Sequence, residues 1–367
     1  MANLFDPLKL RDVTLKNRIV VSPMCNYVAI DGVMTDWHRA HYAGLARGGA
    51  GLVVVEATAV SPEGRISPGD SGLWNDEQAV VLAGIASSIE TLGAVPGIQL
   101  AHAGRKASAN RPWEGDDSIP TEDPRGWETL APSAIALGGV LPKVPREITL
   151  AEIERVKNDY VAATKRAAAA GFKFLQLHFA HGYLAASFLN SHSNHRTDAY
   201  GGNLDNRARF IRETIEAVRA VWPQHLPFSI RLGVIEFDGR DEETVADSIA
   251  VAKGFKAAGV DQLDISMGFT TLEVKIPWGT PAFLAPTAEK FRREIDLPLS
   301  SSWGFDTPEI AQRAVSQGPL DLVFIGKAHL ANPHWAYHAA RKLGVDRPSW
   351  TLPAPYAHWL ERYAVSA

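Results

Sequence analysis

The chain reads as an α/β protein folded into a (β/α)8 TIM barrel, with a long loop inserted after strand three and an aromatic C-terminal tail. Three observations predict this. Eight short apolar runs alternate with helix-patterned segments, the rhythm of parallel strands joined by crossover helices. The runs are rich in Val, Ile and Leu, as strands covered on both faces are. The segment after the first run, Ser22-Pro-Met-Cys-Asn-Tyr27, has nothing of the Gly-rich dinucleotide fingerprint that the rival open sheet would normally carry there.

Strand one falls within 17–25, where Ile19-Val-Val21 is soon ended by Pro23. Asp36 is read as capping a helix to Arg47, stopped by Gly48-Gly49. Strand two spans 51–60, a helix follows over 77–92, and strand three spans 95–101. Residues 104–148 break the rhythm, being rich in Gly, Pro and Asp without a sustained period; loops of that length are functional lids or disordered. Thr149 and Glu152 form a capping box for a helix to about Ala170, which feeds strand four at Phe174. Asn203 caps a helix to Trp222, and strand five spans 228–233. A helix from Asp241 to about Ala258 is closed by Gly259, and strand six spans 262–267. A helix over 287–295 leads to strand seven at 298–303; Thr307-Pro308 opens a helix ending near Gly318, and strand eight spans 321–326. No internal repeat, low-complexity run or linker interrupts the chain, so residues 1–367 are read as a single barrel domain. The tail at 350–367 is too aromatic for a free end and is expected to dock.

Composition narrows the function. At 46% hydrophobic and 21% charged residues the chain is an ordinary globular protein, and a net charge of -4 leaves no electrostatic footprint for nucleic acid. Cys25 is the only cysteine, which excludes an intramolecular disulfide, a Cys-rich zinc site and a Cys-ligated iron–sulfur cluster. With no basic-then-apolar leader and no apolar run of about 18 residues, neither export nor a membrane partner is expected, and the location is read as cytoplasmic.

Chemistry in such barrels gathers at the carboxyl ends of the strands. Phe174-Leu-Gln-Leu-His-Phe-Ala-His-Gly-Tyr183 opens as strand four and ends in a turn carrying His178, His181 and Tyr183. The two histidines can donate hydrogen bonds to a carbonyl or nitro oxygen; packing or surface roles remain open, and nothing nearby completes a metal site. Tyr183 can protonate a carbon, or simply pack. Cys25 and Tyr27 share the same barrel face, where a lone cysteine is either a small hydrophobe or a reactive thiol. Arg231, in the middle of strand five, needs an anionic partner if buried. With Gln99 it forms hydrogen-bonding groups suited to a planar heterocycle. Loops after strands seven and eight, Trp303-Gly304-Phe305 and Gly326-Lys327-Ala328, can approach a phosphate through backbone N–H groups, or be ordinary turns.

Taken together the residues resemble the Old Yellow Enzyme family of flavin-dependent ene-reductases, most closely its xenobiotic-reductase branch. The resemblance runs through Leu15-Lys-Asn-Arg-Ile19, Ser22-Pro-Met-Cys25 with Tyr27, Gln99-Leu-Ala-His102, Ala103-Gly-Arg-Lys106, His178-Phe-Ala-His-Gly-Tyr183, Ser193-Asn-His-Arg-Thr-Asp-Ala-Tyr-Gly-Gly202 and Asn206-Arg-Ala-Arg-Phe210. It implies a bound FMN, NADPH or NADH as hydride donor, and ping-pong reduction of the activated C=C bonds of enones, enals, maleimides and nitro compounds. By the same resemblance Ser22, Pro23, Met24, Cys25, Ala57, Gln99 and Arg231 line the isoalloxazine, and Gly304, Gly326 and Lys327 hold the phosphate. Cys25 tunes the flavin potential, and Arg231 stabilises the reduced ring. His178 and His181 bind the acceptor oxygen, Tyr183 supplies the proton, and Tyr27 and Trp303 shape the substrate pocket. Lys327 stands where many members have arginine, which moves phosphate contacts toward backbone N–H groups. The branch completes its site with a neighbouring subunit's C-terminal residues, which points to a homodimer or higher homo-oligomer with Trp359 or Arg362 reaching across. Two rivals remain: a metal-dependent barrel hydrolase using the histidine pair, and a non-catalytic flavin-storing or sensor protein.

Overall fold

In the computed structural model, residues 2–363 are described; Met1 and residues 364–367, the end of the aromatic tail, lie outside them. Eight parallel strands close into a barrel: β1 (Ile19–Val21), β2 (Leu52–Ala59), β3 (Val95–Ala101), β4 (Phe174–Phe179), β5 (Phe228–Ile235), β6 (Gln262–Met267), β7 (Leu299–Ser301) and β8 (Leu322–Ile325). Closure comes from β8 against β1, with Val323 opposite Ile19 and Ile325 opposite Val21. The outer helices are α1 (Asp36–Arg47), α2 (Asp76–Thr91), α3 (Leu150–Ala169), α4 (Arg209–Val221), α5 (Asp241–Ala252), α6 (Ala285–Glu294), α7 (Pro308–Ser316) and α8 (Trp335–Lys342).

Alternation along the strands decides what the barrel contains. Leu175, Leu177, Ile230, Leu232, Leu263 and Ile265 belong to the apolar layer shared with the helices. Residues of the opposite parity face inward. At the floor these are Val20, Leu52, Val54, Phe174, Leu322 and Phe324, sealed by Leu10, Val13 and Leu15 of an N-terminal hairpin, Leu8–Leu10 against Val13–Leu15. Each large aliphatic side chain buried there contributes roughly 1.5–3 kcal/mol. One level higher the inward residues turn polar: Gln99, Gln176, Ser229 and Gln262, then His178, Arg231, Asp264 and Ser300, all buried. The barrel thus has an apolar base beneath a polar upper level.

Several local expectations change. The cap of α1 is Thr35, whose N–H donates to His38 Nδ1 at 2.9 Å, and Asp36 is the first helical residue. The helix read from Asn203 breaks at Ala208 into Leu204–Arg207 and α4, and α5 stops at Ala252, just ahead of Gly254, a poor helix former. The strand at β4 runs through Phe179, so His178 lies on the strand and only His181 and Tyr183 on the turn. Tyr183 is also the N-cap residue of a short helix, Leu184–Leu189, that carries no periodic signature in the sequence.

The insertion at 104–148 is ordered by side-chain anchors rather than by length of regular structure. Its Leu130–Ala131 and Arg146–Glu147 form a two-strand parallel pair. Trp127 Nε1 donates to the Glu63 carbonyl at 3.0 Å, and Arg196 ties the middle of the insertion to its end through Pro132 O at 3.1 Å and Ile148 O at 2.7 Å. In the described part of the tail Tyr356 stacks on His334 with centroids 5.9 Å apart, and Arg47 lies over the Tyr356 ring.

Candidate active site

At the exit of β1 the chain turns through Ser22, Pro23, Met24, Cys25, Asn26 and Tyr27, the last at φ +55°. Glu56 holds this turn from behind. A bulge in β2 between Val55 and Ala57 lets the Glu56 carboxylate accept from Asn26 N at 2.8 Å, Asn26 Nδ2 at 2.7 Å and Tyr42 Oη at 3.0 Å. Complete burial pushes this carboxyl up to about 7, against the pull of the Asn26 bonds. Ala57 then lies opposite Gln99. Cys25 is half-buried by its surface, and its enclosure, with Asp70 and Glu56 adding negative potential, raises the thiol pKa. It is a neutral thiol rather than a thiolate nucleophile.

Strand β4 and its turn bring three rings together. His178 stands edge-on to His181 at 4.7 Å and to Tyr183 at 4.9 Å between centroids. His178 Nδ1 accepts from Ala180 N–H at 3.4 Å, which puts the proton on Nε2. His181 Nε2 meets Ser266 Oγ at 2.8 Å, leaving Nδ1 for a ligand, and the His181 backbone N–H donates to Met267 O at 3.1 Å. Burial, reinforced by Arg231 and Lys106, holds both imidazoles well below their ordinary pKa, so they offer neutral N–H donors. Burial pushes Tyr183 above its ordinary value, with Cys25 and Asp70 acting in the same sense and Arg231 against. The phenol therefore keeps its proton until a stronger base appears.

Lys106 follows β3 and reaches the same turn. Its Nζ donates to the His181 carbonyl at 2.7 Å and lies 5.9 Å from the Tyr183 ring centroid and 5.7 Å from that of Phe269. Burial, with Arg105 adding, lowers its pKa to about 8. Arg231 is matched by Asp264, Nε to Oδ2 at 3.2 Å, and donates through Nη2 to Ser302 Oγ at 2.7 Å. The buried cation thus has its anion inside the protein.

A cavity of about 550 Å³ opens beside these groups, lined by Met24, Arg231, Trp303, Gly304, Gly326 and Lys327 among others. Its volume is that of a cofactor-sized site. One donor in its wall, Trp303 Nε1, is buried without a hydrogen-bond partner. Trp303 and Gly304 both have positive φ, +78° and +80°, and a Cβ on Gly304 would lie 2.6 Å from Ala282 N. Gly304→Ala is therefore expected to destabilise the protein by about 1–3 kcal/mol, measured by urea unfolding of the apoprotein. Lys327, exposed at the cavity rim, has no ion-pair partner among the described residues.

Ser22, Pro23, Met24, His181, Arg231, Trp303, Gly304, Gly326 and Lys327 all line this one cavity. Cys25, Tyr27, Gln99, His178 and Tyr183 lie outside its lining. His178 and Tyr183 connect to it through their ring contacts with His181, and His178 also pairs opposite Arg231. Tyr27, His181 and Trp303 share a left-handed backbone that side chains seldom adopt, the strain associated with ligand sites. Trp359 sits on the outer surface of its own chain, 77% exposed. Among the described residues, no three His, Cys, Asp or Glu side chains converge as metal ligands.

Residues beyond the sequence reading also take part. Glu56, Lys106, Asp264 and Ser266 hold or charge the groups named above. A signal existed for some of them: polar residues two apart in otherwise apolar runs, as in Gln262, Asp264 and Ser266, mark an inward face.

The chain matches the profile of the NADH:flavin oxidoreductase / NADH oxidase family over residues 3–345. It is 40% identical over 344 residues to the NADPH dehydrogenase of Geobacillus thermodenitrificans (strain NG80-2), covering 93% of this chain and 95% of that one. The structure of an old yellow enzyme homologue from Zymomonas mobilis superposes with a TM-score of 0.79 at 28% identity, over 100% of both chains. A 2-naphthoyl-CoA reductase structure superposes with a TM-score of 0.82 at 26% identity; it covers 96% of this chain, which spans only 54% of that longer one.

Proposed function

The chain belongs to the NADH:flavin oxidoreductase / NADH oxidase family, that of the Old Yellow Enzymes, and from that premise we propose that this FMN-dependent NAD(P)H oxidoreductase is an ene-reductase. Its substrates in this reading are enones, enals, maleimides and nitro compounds, reduced in a ping-pong cycle. The observation that carries the reading is the neutral His178–His181 pair, set edge-on beside a protonated Tyr183 and next to the cofactor-sized cavity.

The residues present fit FMN. Trp303 Nε1, a buried donor without a partner, belongs to the wall of a cavity of the right size that Arg231 also lines, and Lys327 leaves an unpaired cation at its rim. Ser22, Pro23, Met24, Cys25, Ala57, Gln99 and Arg231 would surround the isoalloxazine, and Gly304, Gly326 and Lys327 the phosphate. When bound, FMN supplies hydride chemistry, accepting a hydride from NADPH or NADH and delivering one to an electron-poor carbon.

Within the chain the labour divides by proton state. His178 Nε2–H and His181 Nδ1–H donate to the acceptor oxygen of the substrate, drawing electron density from its double bond. His181 can do so only if Ser266 Oγ–H donates to its Nε2, so Ser266 selects the tautomer. Tyr183 transfers its phenolic proton to the carbon next to the activating group. Tyr27 and Trp303 close the pocket, and we include Trp359, reaching from a neighbouring subunit of a homodimer or higher homo-oligomer, as its outer wall. We also take residues 1–367 as one barrel domain. No described helix is long and apolar enough to cross a membrane. A cytoplasmic location is part of the same proposal.

A yellow purified protein that bleaches anaerobically with NADPH and recovers colour on 2-cyclohexenone is the expected result. A colourless protein that cannot be reconstituted with FMN would overturn the reading, and a flavoprotein inert to every acceptor would favour a storage or sensor role.

Lys106 makes the cycle sensitive to pH. Below about 8 its cation stands near the Tyr183 ring and favours the phenolate left behind by proton donation. The oxidative half-reaction is therefore expected to slow as pH rises through about 8, by on the order of tenfold, one unit of phenol acidity. In Lys106→Met that step disappears and the rate stays on the slow plateau. An unaltered stopped-flow pH profile in the variant would remove Lys106 from the proton step.

A further inference from the structure

The polar level of the barrel is one continuous hydrogen-bond chain with a direction. Gln99 Nε2 donates to Gln176 Oε1 at 2.7 Å, and Gln176 Nε2 to Ser229 Oγ at 3.3 Å. Ser229 Oγ donates to Gln262 Oε1, Gln262 Nε2 to Ser300 Oγ at 2.8 Å, and Ser300 Oγ to Asp264 Oδ1 at 2.8 Å. Every link runs the same way, across β3, β4, β5, β6 and β7, and every member is at most 1% exposed. The other oxygen of Asp264 faces Arg231. Gln99 and Arg231, the two ends, are both among the residues proposed above to surround the isoalloxazine.

We infer that Asp264 is a positioning residue for flavin recognition: it terminates the chain that orients the Gln99 amide, and it neutralises part of the Arg231 charge. The inference rests on the flavin site proposed above. An ionised carboxylate can only accept hydrogen bonds, so Ser300 must donate to it. Ser300 can then accept only from the Gln262 amide, and the same requirement passes link by link to Gln99. Every buried amide in the chain is committed to one orientation, since a single flip would set two donors or two acceptors face to face. Gln99 is left with its carbonyl oxygen and one N–H free. An isoalloxazine imide edge presents an N3–H between two carbonyl oxygens, the complement of that pair. Bonds in such a chain also polarise one another, so a charge at one end strengthens the other.

The second effect is electrostatic. An unpaired guanidinium beside the ring would favour its reduced, anionic form strongly; a carboxylate at 3.2 Å on the far side moderates that pull. Asp264 thus serves binding geometry through one oxygen and redox balance through the other.

The test compares Asp264→Asn, Ser300→Ala and Gln176→Leu holoproteins with the unaltered protein. Two quantities are read: the ratio of dissociation constants for N3-methyl-FMN over FMN, and the two-electron midpoint potential of bound FMN. Asparagine can turn its amide toward Ser300 and let the chain reverse. All three variants are therefore expected to lower the ratio about tenfold, about one lost hydrogen bond. Only Asp264→Asn is expected to raise the potential, by ~30 mV or more, a tenfold change for a two-electron couple. A ratio unchanged in Ser300→Ala and Gln176→Leu overturns the orienting role even if Asp264→Asn fails to fold. A potential that rises equally in all three variants overturns the charge-balancing role. An unaltered protein that binds no FMN would instead refute the flavin site itself, which keeps the two failures distinct.

Discussion

Replacing Tyr183 by Phe is expected to slow reoxidation of the reduced protein by 2-cyclohexenone about 10²–10⁴-fold, the usual worth of a positioned general acid. Reduction by NADPH should change by less than a few-fold. The reason lies in where the hydroxyl sits. Tyr183 caps the short helix after β4 and stands edge-on to His178, with burial keeping its proton in place. Phenylalanine preserves that ring packing, so loss of the hydroxyl is the only change. Stopped-flow measurement of each half-reaction separates the two, and an equal loss in both would contradict the assignment.

Arg231→Met is expected to lower stability by about 3–5 kcal/mol, because it strands the Asp264 carboxylate in a fully buried position. Burial already raises the pKa of Asp264, and Arg231 is the main influence opposing that rise. Without the arginine the carboxyl shifts further up. A folded-state pKa raised above the unfolded value contributes stability that is present at low pH and lost as pH rises through it. The deficit of the variant should therefore be smallest near the ordinary carboxylate range and grow toward neutral pH. Urea unfolding of the apoprotein at several pH values measures it. The double variant Arg231→Met/Asp264→Leu should recover much of the loss, since a buried ion pair replaced by apolar side chains is often nearly neutral. FMN binding should stay impaired in both. If the single and double variants unfold alike, the Arg231–Asp264 pair does not carry the stability assigned to it.

The barrel was legible because it is a matter of period. Val95–Ala101 and Gln262–Met267 are strands with the bounds expected from their runs, and Thr149 caps α3 as its box with Glu152 predicts. These signals are local: a strand declares itself by apolar density, and a helix start by an acceptor three residues ahead of a partner. The elements missed were those whose reason lies elsewhere in the chain. The N-terminal hairpin exists because the barrel floor needs a lid, and Leu184–Leu189 exists because its six residues are all buried against neighbours distant in sequence. Neither has a period of its own.

The sequence by itself determined the eight-strand alternation, the single thiol, the His178, His181 and Tyr183 cluster and the family resemblance. Only the tertiary structure decided the company those residues keep. Lys106 lies 75 residues from the carbonyl it holds, and Gln99 lies 77 from the amide that orients it. Spacing along a chain predicts which side of a strand a residue faces. Charge, proton position and hydrogen-bond direction depend on distances of 3–5 Å through space, which closure of the barrel alone sets.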